Sequence, residues 1–420
     1  MPTSPPSPPP SAESNAVLTA LATRVLTRID PLTREIVRLI VANEPTYQAR
    51  GAVPVGLLTQ SVDGNVRRIL EALAGVRRAP EEELSVARTT GRRRAEQGVP
   101  LEAVLRAYRL ATELVLGSLL AEVRGRPYDE LAAFLDVTSA VMKVMDRHSE
   151  AVVDGYRRAE AELLLRDAQR QQATFDALLE GRGSDPQFAA GAVDALGLPA
   201  TGPYVMVVAT FDLAAQHSLG ATRDTCAAYS FPAAWRIRGD REIGIVALGE
   251  AEAPVQRLLD ALRRHPVGRT GVSDPFVALH QIPEAYRAAE LATRTVTPGD
   301  GPQVVWIAER LPEALIVSSP ALAQRLAQRA LGPLLAQPPT EREMLLRTLA
   351  VWYETGRSAP LAAERLYCHR NTVLNRLRRI EHLTARSLED HRFLLACYLG
   401  LLTLRLGQDK VRPAAPASTT

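Results

Sequence analysis

The residues best placed to do chemistry lie near the C-terminus, in the run LAAERLYCHRNTVLNRLRRIEHL from Leu361 to Leu383. Val373, Leu377 and Ile380 recur at helical spacing and share one inward face. Asn371, Asn375 and Arg378 then point the opposite way, and Thr372, Arg376 and Arg379 lie on the flank. His369 and Arg370 stand at the helix start. Leu361, Ala362 and Leu366 make a short preceding helix, with small residues where another backbone must come close. Tyr367-Cys368-His369 is the tight connection, and the pair reads as a helix-turn-helix. Arg can bridge guanine O6 and N7, and Asn can pair with adenine N6 and N7. A hydroxyl and free N–H groups at a helix start can hold phosphate. Between Arg365 and Arg386, six arginines (365, 370, 376, 378, 379 and 386) face one acid, Glu381. The bland alternative is a solvated basic face on a structural hairpin. Outward Asn beside clustered Arg favours double-stranded DNA as the partner.

The elements that must position this hairpin belong to a chain of 420 residues, enough for two or three domains. A net charge of +3 does not by itself call for nucleic acid, so local clustering carries that argument. Lys143 and Lys410 are the only lysines, and the Ala, Pro and Arg content suggests a GC-rich genome. Cys226, Cys368 and Cys397 are odd in number, far apart and free of any CxxC. They indicate neither a disulfide framework nor a zinc site and fit a reducing cytoplasm. The Pro/Ser-rich start lacks the basic end and apolar core of a signal peptide. The longest strongly apolar run, Phe393 to Leu404, falls well short of the roughly 20 residues of a membrane helix. We expect a cytoplasmic, nucleoid-associated protein without a membrane span.

Residues 1–15 and 411–420 read as disordered tails. Residues 16–165 read as all-helical. Asp30-Pro31 and Pro80-Glu81-Glu82-Glu83 mark helix starts, and Gly98-Val99-Pro100 marks a break. The following helix carries Leu101, Leu105, Tyr108 and Thr112 on one face. Met145, His148, Val152, Tyr156, Ala159 and Leu163 make a stripe on a long helix. That stripe fits either the last core helix of the domain or a dimeric connector. Residues 166–185 are a connector helix and linker. Residues 186–312 carry YVMVVATF (Tyr204–Phe211), a hairpin turning at Gly239-Asp240-Arg241, and strands alternating with helices, a ferredoxin-like α/β layer. Residues 313–410 are helical again. The expected fold class is therefore multidomain and mainly α, with a central α/β domain between all-α terminal domains.

The run from Ala363 through His369-Arg370-Asn371-Thr372-Val373 to Arg376-Leu377-Arg378-Arg379-Ile380 resembles the C-terminal domain of PucR/CdaR-type transcriptional regulators. That domain is itself similar to Fis-type helix-turn-helices. LLRTLAVWYETG (Leu345–Gly356) and SLEDHRFLLACYLGLL (Ser387–Leu402) resemble its flanking helices. GRRRAEQGVPLEAVLRAYRLATELV (Gly91–Val115) is similar to the N-terminal domain of actinobacterial PucR-type proteins and RsbRD-like stress regulators. Residues 186–312 are similar to their degenerate GGDEF-like domain. The resemblance implies a DNA-binding regulator with upstream domains sensing an unidentified small-molecule or protein effector, and the Met145–Leu163 stripe with a single half-site reader per chain predicts a homodimer or higher even oligomer.

Rival readings meet specific obstacles. A diguanylate cyclase needs a Gly-Gly turn for guanine nucleotide and adjacent acids for Mg²⁺. Here the hairpin reads Arg238-Gly239-Asp240-Arg241-Glu242, with Arg241 between the acids. No enzyme activity is expected, though a nucleotide can still bind without turnover. The seven histidines are scattered without HxxxH or HExxH, and no cofactor or metal is expected. RsbRD-like domains also allow a partner-switching protein that does not touch DNA; the basic helix-turn-helix argues against it.

Overall fold

The computed structural model describes residues 12–48, 53–124, 126, 128–210, 220–250, 252–266, 268–297 and 303–407. The chain divides into two compact units, Met1–Gln169 and Arg170–Thr420. Of the expected tails, residues 1–11 and 411–420 lie outside the described residues. Residues 12–15, read as tail, instead open helix α1 (Ala12–Leu26), because Ser14 and Leu18 are already buried against the first unit.

The first unit is helical throughout. After α1 come α2 (Ile29–Asn43), the short α3 (Pro45–Gln48), α4 (Val55–Leu73), the acidic turn α5 (Pro80–Glu83), α6 (Ser85–Glu96), α7 (Leu101–Val123) and α8 (Tyr128–Leu179). Ile29 is buried and draws the start of α2 ahead of Asp30-Pro31, so Asp30 sits in the first turn and not at the cap. On α7 the buried positions are Ala103, Val104, Ala107, Val115, Leu119 and Val123, whereas Leu101, Leu105, Tyr108 and Thr112 are half-buried. Glu102, Arg106, Arg109 and Glu113 form the exposed stripe of the helix, and the residues facing away from it are buried or half-buried. Along α8, Met145, His148, Val152, Tyr156 and Ala159 are buried in the core, and Leu163 is half-buried. The stripe is thus a core stripe as far as Ala159. Beyond it Leu164 and Leu165 are exposed, at 67% and 63%. Where α6 crosses α8 the partners are glycines: a Cβ on Gly91 would lie 2.0 Å from the Val152 carbonyl oxygen.

The second unit begins with the end of α8, whose Phe175 and Leu178 are buried, and α9 (Pro186–Leu196), capped by Asp185 Oδ1 accepting from Gln187 N–H. The strands are β1 (Tyr204–Thr210), β2 (Ala233–Arg238), β3 (Arg241–Ala247), β4 (Arg269–Val272) and β5 (Gln303–Trp306). Helices α10 (Ala221–Ala228), α11 (Pro254–Arg264) and α12 (Ile282–Arg294) lie between them. Strand order is β2-β3-β1-β4-β5, antiparallel except for the parallel β4–β5 pair. The first four strands with α10 and α11 reproduce the ferredoxin-like β-α-β-β-α-β arrangement. β1 is a continuous apolar run because both its faces are covered. Tyr204, Met206 and Val208 join the core with α9 and α12, whereas Val205 and Val207 join the core with α10 and α11. β4 passes α12 so closely that a Cβ on Gly271 would lie 2.1 Å from the Ala289 carbonyl oxygen.

The chain then turns helical: α13 (Leu311–Ser318), α14 (Pro320–Leu335), α15 (Pro339–Glu354), α16 (Ala359–Arg365), α17 (Arg370–Thr384) and α18 (His391–Gly407). Phe393, Leu394 and Cys397 of α18 are buried with Leu331 and Leu334 of α14, so the apolar run from Phe393 is a core helix of this domain. Among the described residues no helix is long and apolar enough to cross a membrane.

Candidate nucleic-acid interface

α16 and α17 are the two helices of the hairpin. α16 starts at Ser358, whose hydroxyl accepts from Leu361 N–H, and buries Ala359, Ala362 and Ala363. Their small side chains let the neighbouring helices approach. α16 is closed by Leu366 N–H to Ala362 O at 2.9 Å and Cys368 N–H to Ala363 O at 3.0 Å. Between these bonds Tyr367 adopts a left-handed backbone with φ 51°, and its side chain is 95% exposed. His369 is the N-cap of α17, its Nδ1 accepting from Asn371 N–H at 3.2 Å. Val373, Leu377 and Ile380 are buried in the core with Leu345 and Leu349 of α15. This anchor turns the other side of α17 to solvent.

On that side Asn371, Asn375 and Arg378 are exposed; at the helix start His369 and Arg370 are exposed and Thr372 is half-buried. Arg370 makes no ion pair with any described residue, and Arg378 reaches only the Asn375 Oδ1, at 3.5 Å. The remaining arginines are engaged with the scaffold. Arg379 Nε pairs with Glu341 Oε1 of α15 at 3.1 Å, and Arg365 pairs with Glu354 at 3.4 Å. Half-buried Arg376 donates to Thr348 Oγ1 at 3.3 Å, and Arg386 lies over the Phe393 ring. The arginines of α17 with no acid partner are therefore Arg370, Arg376 and Arg378, and of these Arg370 and Arg378 are exposed. The acids that pair with Arg379 and Arg365, Glu341 and Glu354, lie before the Leu361–Leu383 run. Sequence reasoning also passed over Tyr367, whose only signal was an aromatic ring in a turn that has nowhere to bury it.

The central hairpin has its own geometry. Arg241 pairs with Glu290 of α12, and Asp240 is exposed. Glu242 is buried, and burial raises its carboxyl above the ordinary value against the opposing pull of Thr222 and Arg223. The two acids thus occupy different surroundings. No cluster of metal-binding side chains occurs among the described residues.

Comparison with known proteins finds three matching segments. Residues 12–171 match the RsbT co-antagonist protein rsbRD N-terminal domain, 180–295 the GGDEF-like domain, and 345–403 the PucR C-terminal helix-turn-helix domain. The purine catabolism regulatory protein of Bacillus subtilis (strain 168) is 31% identical over 138 residues, 32% of this chain. This chain spans 26% of that relative's length. A solved regulator of polyketide synthase expression from Bifidobacterium adolescentis aligns at 18% identity over 58% of this chain and 99% of that one, with a TM-score of 0.29. In order along the chain, its segments are thus similar to an RsbRD N-terminal domain, a GGDEF-like domain and a PucR C-terminal helix-turn-helix domain.

Proposed function

We propose that this protein is a cytoplasmic, sequence-specific transcriptional regulator that reads double-stranded DNA with α17. One observation carries the reading: Asn371, Asn375 and Arg378 stand unburied on the side of α17 opposite its buried face, with Arg370 exposed at the first turn. Asn375 and Arg378 are mid-helix and are assigned to base edges. Arg370, Asn371, Thr372 and the backbone at the His369 cap are assigned to phosphate. Arg376 and Arg379 hold α17 against α15 and contribute to DNA contact only through that placement. One recognition helix per chain gives a single half-site, so the working form is a homodimer or higher even oligomer on a twofold-related site. Light scattering of the DNA-bound protein checks this, and a strict monomer on specific DNA would contradict it.

The upstream domains are assigned to sensing and assembly. The GGDEF-like domain is assigned no cyclase chemistry, since Arg241 is tied to Glu290 and Glu242 is buried away from Asp240. The test of the DNA reading is titration of specific and random duplexes with wild type and Arg370→Ala at several salt concentrations. Each phosphate contact contributes about 0.9 to the slope of log affinity against log salt, so Arg370→Ala should lower the slope by about that amount on both duplexes. An unchanged slope with the protein folded would remove Arg370 from the interface.

A further inference from the structure

The first unit encloses a cavity of about 40 Å³, walled by apolar side chains of α2, α4 and α7. Among the polar side chains that line it are Asn65 of α4, Thr90 and Arg94 of α6, and Tyr108 of α7. Arg94 is 2% exposed and is among the largest fully buried side chains of the protein. Its Nη1 donates to Gln97 Oε1 at 2.6 Å, and its guanidinium carbon lies 5.8 Å from the centre of the Tyr47 ring. Its Nη2 is buried with no partner. No described carboxylate forms an ion pair with Arg94. The nearby buried acid, Glu44, gives one oxygen to Arg106 Nε at 2.7 Å.

Two further groups at the cavity are incomplete. Asn65 is 6% exposed; its amide nitrogen donates to Ser61 O and Thr90 Oγ1, whereas its Oδ1 is buried without a donor. The Tyr108 hydroxyl is buried beside the Thr90 side chain and closes no hydrogen bond of normal geometry. Burial pushes its pKa up and the Arg94 charge opposes that shift, so the group remains an O–H donor beside a cation. A buried cation without a counter-charge is costly, and so is each unmade hydrogen bond. All three deficits converge on one space. A molecule that met them would bring an anion to Arg94 and Tyr108 and one donor to Asn65 Oδ1. A water needs roughly 10–15 Å³ on the same measure, so the cavity takes only a few atoms of that size.

We propose that this cavity is a binding site for a small hydroxycarboxylate, with the carboxylate on Arg94 and Tyr108 and the hydroxyl donating to Asn65. The site stands on the first unit alone, so it can hold whether or not α17 reads DNA. The apolar wall selects against longer polar acids, and the volume excludes rings.

The test uses the full chain, calorimetric titration with glycolate and with lactate, and glycolamide, lactamide and sodium chloride as controls. Saturable binding of at least one acid is expected, with no response to the amides or chloride. Arg94→Met should weaken that binding by roughly tenfold or more while leaving the protein folded, since an apolar side chain replaces an unpaired buried charge. Tyr108→Phe keeps the ring and removes one donor, and should weaken binding several-fold; it decides the matter if Arg94→Met fails to fold. The proposal is overturned if neither acid binds, if the amides bind equally, or if a folded Arg94→Met or Tyr108→Phe binds the acid as the wild type does. In those cases the cavity holds water only.

Discussion

The crossing of α6 and α8 in the first unit can be tested by a single methyl group. A Cβ on Gly91 would lie 2.0 Å from the Val152 carbonyl oxygen and 2.8 Å from the Tyr156 nitrogen. Both are backbone atoms in the middle of a helix, so no side chain can swing aside to make room. A normal carbon–oxygen approach is about 3.3 Å, so Gly91→Ala should force the helices apart by roughly 1.3 Å. Ala87, Val152 and Tyr156 are buried at this crossing and would lose close contact. Overpacking of this kind costs about 1–3 kcal/mol. At about 2–4 °C per kcal/mol for a domain of this size, the unfolding transition of the first unit should fall by roughly 2–12 °C. Calorimetry reads the fall, and hydrogen exchange should show lost protection in α6 and α8 while α14 to α18 are unaffected. A transition unmoved by Gly91→Ala, with unchanged protection, would refute the backbone-to-backbone crossing.

Leu377→Ala should destabilise the C-terminal domain by about 2–5 kcal/mol through the cavity it opens beside Val373 and Ile380, read by chemical denaturation; a cost under about 0.5 kcal/mol would place Leu377 outside the core. Glu242 has a raised folded-state pKa, so its contribution to stability is full below about 4.5 and is lost as pH rises through the folded value. Glu242→Gln should therefore stabilise the protein at neutral pH and flatten the decline above about 4.5; denaturation across pH checks this, and equal wild-type and variant curves would contradict it. Incubation with GTP and Mg²⁺ should yield no cyclic dinucleotide by chromatography, and turnover abolished by Asp240→Ala would overturn the non-catalytic reading.

What the sequence made legible follows its periodicities. Val373, Leu377 and Ile380 are spaced for one helical face, and that face is buried. YVMVVATF has no polar alternation because β1 is covered on both sides, and Gly239 turns the β2–β3 hairpin with φ 59°. Less visible were elements with weak apolar pattern. α10 exposes Arg223 and Asp224 and buries little beyond Thr222 and Cys226, so nothing in its composition marks a helix under the sheet. The start of α1 was hidden by the Pro/Ser-rich stretch before it. Charge pairing was the other gap. Counting arginines within Arg365–Arg386 could not reveal that Glu341 and Glu354, which precede that window, neutralise Arg379 and Arg365. The cavity at Arg94 was equally invisible, because nothing in GRRRAE marks which arginine α6 turns inward: Arg94 is buried while Arg92 and Arg93 stay exposed.

The central claim, that α17 reads DNA sequence, is tested most directly by footprinting the full chain on fragments of its own genome and repeating the measurement with Asn375→Ala. The side chain lies on the outward face of α17 and touches only Arg378, so its loss should leave the fold intact. A discrete protected site is expected for the wild type. For the folded variant, affinity for that site should fall by about 1–3 kcal/mol, with preference relaxed at one base position and binding to random duplex unchanged. No protected site for the wild type, or identical affinity and base preference for Asn375→Ala, would contradict the assignment of α17 as the recognition helix.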